Sequence, residues 1–361
     1  MSGKVSDNLG RSSGLTKAAS TGDPTATAGD PATDRDEAVG TRYINTTSGE
    51  LFICTDASAG ENIWKGQLGT TVEVAKYYGS RGVWVGGRVS DAMRDEMDYV
   101  TIASLGNASD FGNLQAAKGY GCAVSNGSRG LDMGGEDGNN INVIDYWTFA
   151  SLGNAADFGD LTQARRHTHD GRGSNGTRGL CCGGYVAGDV DTVDYVNIAS
   201  LGNAIDFGNL SGARREIAGA NNDTRLCIAG GYGTPTKLDT IDYFTMDTTG
   251  NATDFGDLAT GDSGGAGCSN GVRGLYWNRA DDQIQFYVIA SLGNATDFGN
   301  QVTDQDTYGS SACSDLTKGV MAGGGSGLDT MDVVNIASSG DATDFGDLTV
   351  GRYAIASASG T

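Results

Sequence analysis

His167 and His169 are the only two histidines in the 361-residue chain. Their spacing of two puts both imidazoles on one face of a strand, a geometry able to hold zinc or nickel, with Asp170 beside them. No other stretch repeats the pair, and Cys181 and Cys182 point to opposite faces of a strand, so only one of them could join. A solvated strand end is therefore the expectation, and no cofactor or metal is assigned. The seven cysteines, at positions 54, 122, 181, 182, 227, 268 and 313, match neither a Cys-x-x-Cys spacing nor an even framework. They read as small buried apolar residues of a protein assembled in a reducing cytoplasm.

Asp-Phe-Gly occurs six times, with Phe111, Phe158, Phe207, Phe255, Phe298 and Phe345 separated by 47, 49, 48, 43 and 47 residues. The kinase magnesium motif of the same letters occurs once and needs a Gly-rich loop, a strand lysine and a His-Arg-Asp loop, all missing here. Six copies point to structure: the Phe fills space between units and the Gly permits a tight turn. The acidic residues Asp110, Asp157, Asp206, Asp254, Asp297 and Asp344 are expected to pair with basic residues of their units or to cap turns. Calcium would need six to eight converging oxygens, which spacing does not show. With both histidines in one copy of the repeat, no nucleophile and base can be assembled. Paired carboxylates for glycoside hydrolysis would break the symmetry of a repeat. The clearest break is in the fifth copy, where Trp277, Asn278, Arg279 and Asp281 stand together. That group either stacks on and hydrogen-bonds a sugar or is a unit repacked after losing its Gly-Gly pair; the second is favoured.

The elements that carry these residues are short strands. A period in the forties is the length of a propeller blade. Upstream of each Phe lies a strand centred on Tyr99, Tyr146, Tyr195, Tyr243, Tyr287 or Val333, twelve residues before the Phe, or eleven in the fifth copy. Further upstream a basic residue, Arg81, Arg129, Arg178, Arg225, Arg273 or Lys318, precedes a Gly-Gly pair by five, except in the fifth copy, where Asn278-Arg279 replaces the pair. Within one unit, four strands are expected at residues 213–220, 225–230, 240–246 and 252–258, from alternation and turn signals. Asn-Gly in Ser125-Asn126-Gly127, Ser174-Asn175-Gly176 and Ser269-Asn270-Gly271 marks hairpins. The first copy has half a first strand, and residues 352–357 are expected to complete it, closing a ring without a free edge. The fold class is all-β, with a six-bladed propeller over residues 71–361. A solenoid would need polar caps and leaves the terminal strand unexplained. The Gly-Gly, Tyr and aromatic pattern resembles the kelch repeat over roughly residues 72–361, with Phe in place of the usual Trp.

Residues 1–40 are rich in small and polar side chains and read as an extended arm without a core of its own. Residues 41–70 read as a small β-hairpin attachment segment, with a Thr47-Ser48-Gly49 turn and Trp64 covering one face. That element resembles the β-hairpins of tail-fibre and other virion proteins of tailed bacteriophages, as does the opening Ser6-Asp7-Asn8-Leu9-Gly10-Arg11. The resemblance implies a virion structural protein, assembled in the host cytoplasm and held to other virion proteins through residues 1–66, as a homo-oligomer within the particle.

A net charge of −21 without a segregated basic block disfavours nucleic acid and anionic membrane as partners. Residues 1–15 have no apolar run of the Sec type, and no stretch approaches a membrane span. The expected function is non-enzymatic: adhesion, decoration or protein docking by a displayed propeller. The alternatives are a lectin-like receptor-binding protein for host-surface glycan and an enzyme degrading polysaccharide.

Overall fold

The computed structural model describes residues 24–27, 31, 37–46, 50–57, 63–66, 71–72, 78–168, 170–171, 173–302, 307–325 and 327–361. It divides into two compact units, Met1–Ala75 and Lys76–Thr361. Among the described residues all regular structure is strand, and no helix is long and apolar enough to cross a membrane.

In the first unit, Arg42–Asn45 and Leu51–Asp56 pair antiparallel, with Tyr43 opposite Phe52. Ile63–Gly66 and Thr71–Val72 extend the sheet on one side, and Thr25–Thr27 joins it in parallel on the other. The expected hairpin is thus the centre of a five-stranded sheet, because two strands alone bury too little. Alternation brings Tyr43, Phe52, Cys54 and Trp64 into one buried cluster, the Tyr43 and Trp64 rings meeting edge to face at 5.8 Å. The Thr47-Ser48-Gly49 turn and most of the expected arm at 1–40 lie outside the described residues.

The second unit is a propeller-like assembly of small antiparallel sheets, most with four strands, each built on one copy of the repeat. In the second copy, Cys122–Ser125, Arg129–Glu136, Asn140–Thr148 and Ala156–Asp160 pair each with the next. The third copy keeps three strands, and its Asp170–Gly171 segment pairs instead with Ala218–Asn221 of the fourth. The first copy takes its fourth strand from the C-terminus: Ala356–Gly360 pairs antiparallel with Arg81–Val85. That strand starts four residues later than expected. Ala354 just before it has φ 57°, a left-handed turn that no strand continues through. Glu216, also at φ 57°, delays the first strand of the fourth copy from 213 to Ala218–Asn221 for the same reason.

The Asp-Phe-Gly triplet clasps neighbouring copies. Each Phe is buried, and in the first five copies it meets the aromatic ring twelve residues earlier edge to face, as Tyr195 and Phe207 do at 5.7 Å. It also packs on the next copy, Phe207 on Phe244 at 5.6 Å and Phe345 beside Val100 and Ile102. Gly208 has φ 148°, and a Cβ there would sit 2.3 Å from the Gly250 carbonyl oxygen of the following copy. The backbone carries the join: Gly250 N–H donates to Phe207 O at 2.8 Å and Ala252 N–H to Asn209 O at 2.8 Å. Close approach to a neighbour, more than a turn, is what requires the glycine. In the fifth copy Phe286, not Tyr287, occupies the aromatic position: it faces Phe298 at 6.0 Å and lies under Arg273, so the twelve-residue spacing has no exception.

The expected pairing of the triplet aspartates with the basic residues is not what forms. All six of those aspartates are exposed. Each basic residue instead reaches the next copy: Arg129 to Ile198 O at 2.9 Å, Arg178 to Met246 O at 2.9 Å, Arg225 to Ile289 O at 2.8 Å, Arg273 to Ile336 O at 3.4 Å, and Arg81 to Phe149 O. Lys318 Nζ donates to Ala103 O of the first copy at 2.9 Å. On the way the arginines lie over aromatic rings, Arg225 over Tyr243 at 4.3 Å. The sixth copy, with Val333 in place of a ring, uses a lysine, which gains less from a ring than a guanidinium.

Buried ion pairs form elsewhere, between the cation seven residues after Phe111, Phe158, Phe207 or Phe345 and the Asp preceding the aromatic of the adjoining copy. Arg165 meets Asp194 at 2.8 Å, Arg214 meets Asp242 at 3.1 Å, and Lys118 meets Asp145 at 3.0 Å and Asp132 at 3.3 Å. In the fifth copy both members are gone together, Asp262 and Gln285 standing at those positions. In the sixth copy Gln305 stands at the cation position while the buried Asp332 is kept and accepts the Val302 N–H at 2.9 Å, so the two members need not be lost together.

Candidate functional site

The first strands of the copies lie side by side, and their two ends differ. At one end a chain of short side chains seals the strands together. Ser125 Oγ donates to Ser359 O at 2.6 Å, Ser359 Oγ to Ser314 O at 2.7 Å, Ser314 Oγ to Ser269 O at 2.6 Å and Ser269 Oγ to Asn221 O at 2.7 Å. Asn221 Nδ2 continues to Ser174 O at 2.5 Å, and the buried Tyr78 hydroxyl donates to Asn221 O at 3.2 Å. The chain of bonds leaves Asn221 Oδ1 as a buried polar atom without a hydrogen-bond partner at this end.

At the other end, six equivalent residues, one per copy, have left-handed backbone: Tyr120 (φ 61°), His167 (52°), Glu216 (57°), Gly264 (74°), Gly309 (68°) and Ala354 (57°). Their backbones link laterally, Tyr120 N–H to Ala354 O at 2.9 Å, Glu216 N–H to His167 O at 3.0 Å, Gly264 N–H to Glu216 O at 2.9 Å and Gly309 N–H to Gly264 O at 3.2 Å. The scaffold needs this conformation, and glycine supplies it at the least cost, as two copies show. Tyr120, His167 and Glu216 keep large side chains there at a cost of about 1–2 kcal/mol each.

Those three side chains converge with Tyr308. The Tyr120 and His167 rings lie 4.1 Å apart, and Tyr308 Oη donates to Glu216 Oε1 at 3.1 Å. His167 Nδ1 is 3.4 Å from Tyr308 Oη and 3.6 Å from Glu216 Oε1. Burial, reinforced by Arg166 and Arg215, pushes the imidazole down to about 3, so His167 is neutral at neutral pH. The phenol has one hydrogen and gives it to the carboxylate, so Nδ1 carries the imidazole proton and Nε2 is left as an acceptor. Burial and Glu216 hold the Tyr308 phenol above its ordinary range, which keeps that proton in place.

A cleft of about 270 Å³ opens here, lined by Arg166, His167, Tyr185, Arg215, Glu216 and Tyr308. Both arginines are held from behind. Arg166 Nη1 donates to Glu136 Oε2 at 2.6 Å, and Arg215 Nη1 pairs with Asp189, itself fixed by Thr234 Oγ1 at 2.6 Å. The Tyr185 ring lies between them, 5.4 Å from Arg166 Cζ and 5.1 Å from Arg215 Cζ. A narrower cavity beside the cleft reaches Ser310, whose Oγ is buried and has no hydrogen-bond partner. A larger groove of about 450 Å³ next to Leu201 is lined by residues that recur in the other copies, such as Arg178 and Tyr195, and so has nothing particular to one place.

The residues singled out from the sequence fall partly elsewhere. Trp277 is fully buried among Cys268, Leu275, Ile284 and Phe298, and it offers no face to a sugar. It stands at the core position that Met133 fills in the second copy, so its size, not its chemistry, sets it apart. Asn278 is buried as well, its Oδ1 accepting from Gln285 Nε2 at 2.8 Å. Asp281 is exposed and its Oδ1 accepts the Gln283 N–H at 3.1 Å. Of that group only Arg279 reaches these residues, lying over the Tyr308 ring at 4.3 Å. His167 belongs to the site, whereas His169 lies outside the described residues. Among the described residues no group of three or more His, Cys, Asp or Glu side chains is placed to hold a metal ion. All seven cysteines are buried and none is in a disulfide.

The signal that locates the cleft is the pair of residues eight and nine after each triplet Phe. It reads Gly119-Tyr120, Arg166-His167, Arg215-Glu216, Ser263-Gly264 and Tyr353-Ala354, with Tyr308-Gly309 displaced by two in the fifth copy. The repeat holds the backbone there and leaves the side chains free to differ. No protein-family model matches the chain, and no curated protein matches it either.

Proposed function

We propose that the chain is a non-enzymatic recognition protein: a six-bladed, kelch-like propeller closed by its C-terminal strand, with a binding mouth at one end of its axis. Residues 1–66 attach it to other proteins of a bacteriophage virion. Closure is supported by contacts of Ala356–Gly360 with both Ser311–Ser314 and Cys122–Ser125, and by the Lys318 bond to Ala103. The attachment role rests on the phage-like hairpin at 41–66 and on a composition ahead of it that is too polar to form a core.

The observation that carries recognition is the retention of Tyr120, His167 and Glu216 at positions where glycine suffices for the scaffold. Binding, rather than catalysis, fits a neutral His167 whose Nδ1 proton is engaged and a Tyr308 phenol that holds its proton. Adsorption of the labelled full chain to a panel of bacterial cells tests this. Saturable adsorption that falls in Glu216→Gln, without release of soluble reducing ends, is the expected result. Release of reducing ends would make the protein an enzyme. A mature particle in which residues 1–66 touch no other protein would contradict the attachment.

A further inference from the structure

We infer that the axial cleft takes a single polyhydroxylated sugar ring of a surface glycan. This rests on reading the mouth as a recognition surface, and names what it recognises. Three properties of the cleft select that class.

The first is charge. Arg166 and Arg215 contribute two positive charges and Glu136, Asp189 and Glu216 three negative ones, Arg166 pairing with Glu136 and Arg215 with both Asp189 and Glu216. An anionic ligand meets the Glu216 carboxylate, and a cationic one meets two guanidiniums. A neutral ligand is repelled by neither.

The second is the alternation of donors and acceptors. The guanidiniums can only donate, Glu216 only accepts, and His167 presents Nε2 as an acceptor. These lie side by side within one cleft. Adjacent hydroxyls are the common chemical group that accepts from a guanidinium through one lone pair and donates to a neighbouring carboxylate through its own hydrogen. A peptide backbone presents its donors and acceptors farther apart, and an apolar ligand would leave all of these groups unpaired, at about 1–3 kcal/mol for each one buried. The unpartnered, buried Ser310 Oγ in the adjoining cavity is a further group that a hydroxyl or its bound water would satisfy.

The third is size and wall chemistry. At about 270 Å³ the cleft is just under the range of about 300–1,000 Å³ that holds drug-sized molecules, so it admits one ring and not a chain. Tyr308 supplies an apolar wall for the C–H face of such a ring, while Arg166, Arg215 and their carboxylates fix the donors in place before binding.

The test uses the full chain, an array of bacterial surface oligosaccharides, and cells treated either with periodate, which cleaves vicinal diols, or with protease. Saturable array binding is expected, together with adsorption lost after periodate and kept after protease. Glu216→Gln, which keeps shape but removes the charged acceptor, should weaken array binding about tenfold or more with an unchanged melting temperature. Arg215→Lys should weaken it as well, because the charge stays and the fork is lost. Array binding that both variants leave intact would place the sugar elsewhere. Adsorption lost after protease, kept after periodate and still reduced in Glu216→Gln would overturn the sugar and leave the mouth as a recognition surface. Adsorption indifferent to both variants would overturn the mouth itself.

Discussion

Arg352 Nη1 lies 2.7 Å from Asp98 Oδ2, a buried contact between residues 254 positions apart that ties the C-terminal segment to the first copy of the repeat. Thr349 Oγ1 donates to the same carboxylate at 2.6 Å, and Arg352 Nη2 reaches Trp84 O at 3.4 Å. The last ten residues therefore bring a buried cation as well as a strand to the first sheet.

Arg352→Ala strands the Asp98 carboxylate in the core and should cost about 3–5 kcal/mol in urea unfolding, whereas the double variant Arg352→Met with Asp98→Leu should recover most of that loss. Equal losses in the single and double variants would show that the pair does not matter. Truncation after Thr349 removes the whole strand and should broaden or split the unfolding transition. A truncate that unfolds as cooperatively as the full chain would contradict closure.

Gly208→Ala places a methyl against the Gly250 carbonyl and a side chain at φ 148°, so about 2 kcal/mol or more of stability should be lost. Gly212→Ala, where a Cβ meets open space, is the control and should change little. Similar urea midpoints for the two variants would remove the close approach as the reason for the triplet glycine.

Two groups should shape the pH dependence in opposite senses. His167 is depressed in the folded protein, from 6.5 to about 3, so the unfolded chain binds its proton first and stability is lost as pH falls below about 6.5. Asp132, raised from 3.8 to about 6 chiefly by burial and by the neighbouring Asp145 against the pull of Lys118, binds its proton first in the folded state. Its contribution is lost as pH rises from about 4 to 6. His167→Asn should therefore lessen the acid-side loss between pH 6.5 and 5 by about 1–2 kcal/mol, and Asp132→Asn should steepen it. Urea unfolding at both pH values reads each slope, and parallel slopes in all three proteins would contradict the assignment.

Much of the framework was legible because a repeat displays its own requirements six times. The period, the basic residue, the Phe clasp and the extra terminal strand all stand out when the copies are aligned on Phe. What a spacing does not carry is direction. Arg129 and Asp157 belong to one copy, yet the arginine reaches the Ile198 carbonyl of the next. Strand starts were misplaced where left-handed residues such as Glu216 and Ala354 interrupt an alternating pattern. The candidate site was misjudged for a related reason. Trp277 is conspicuous by type, but its register is that of a core residue, whereas Tyr120 and Glu216 are ordinary by type and are set apart by backbone conformation alone.

Glu216→Gly and Tyr120→Gly test the central claim most directly, with stability and ligand adsorption measured on the same samples. Each removes a converging side chain while giving a left-handed position the residue it accepts most easily. Stability unchanged or raised by up to about 1 kcal/mol, with adsorption lost, is the expected result. Adsorption retained in both variants, or loss of stability without loss of adsorption, would show that these side chains serve the scaffold and that recognition lies elsewhere.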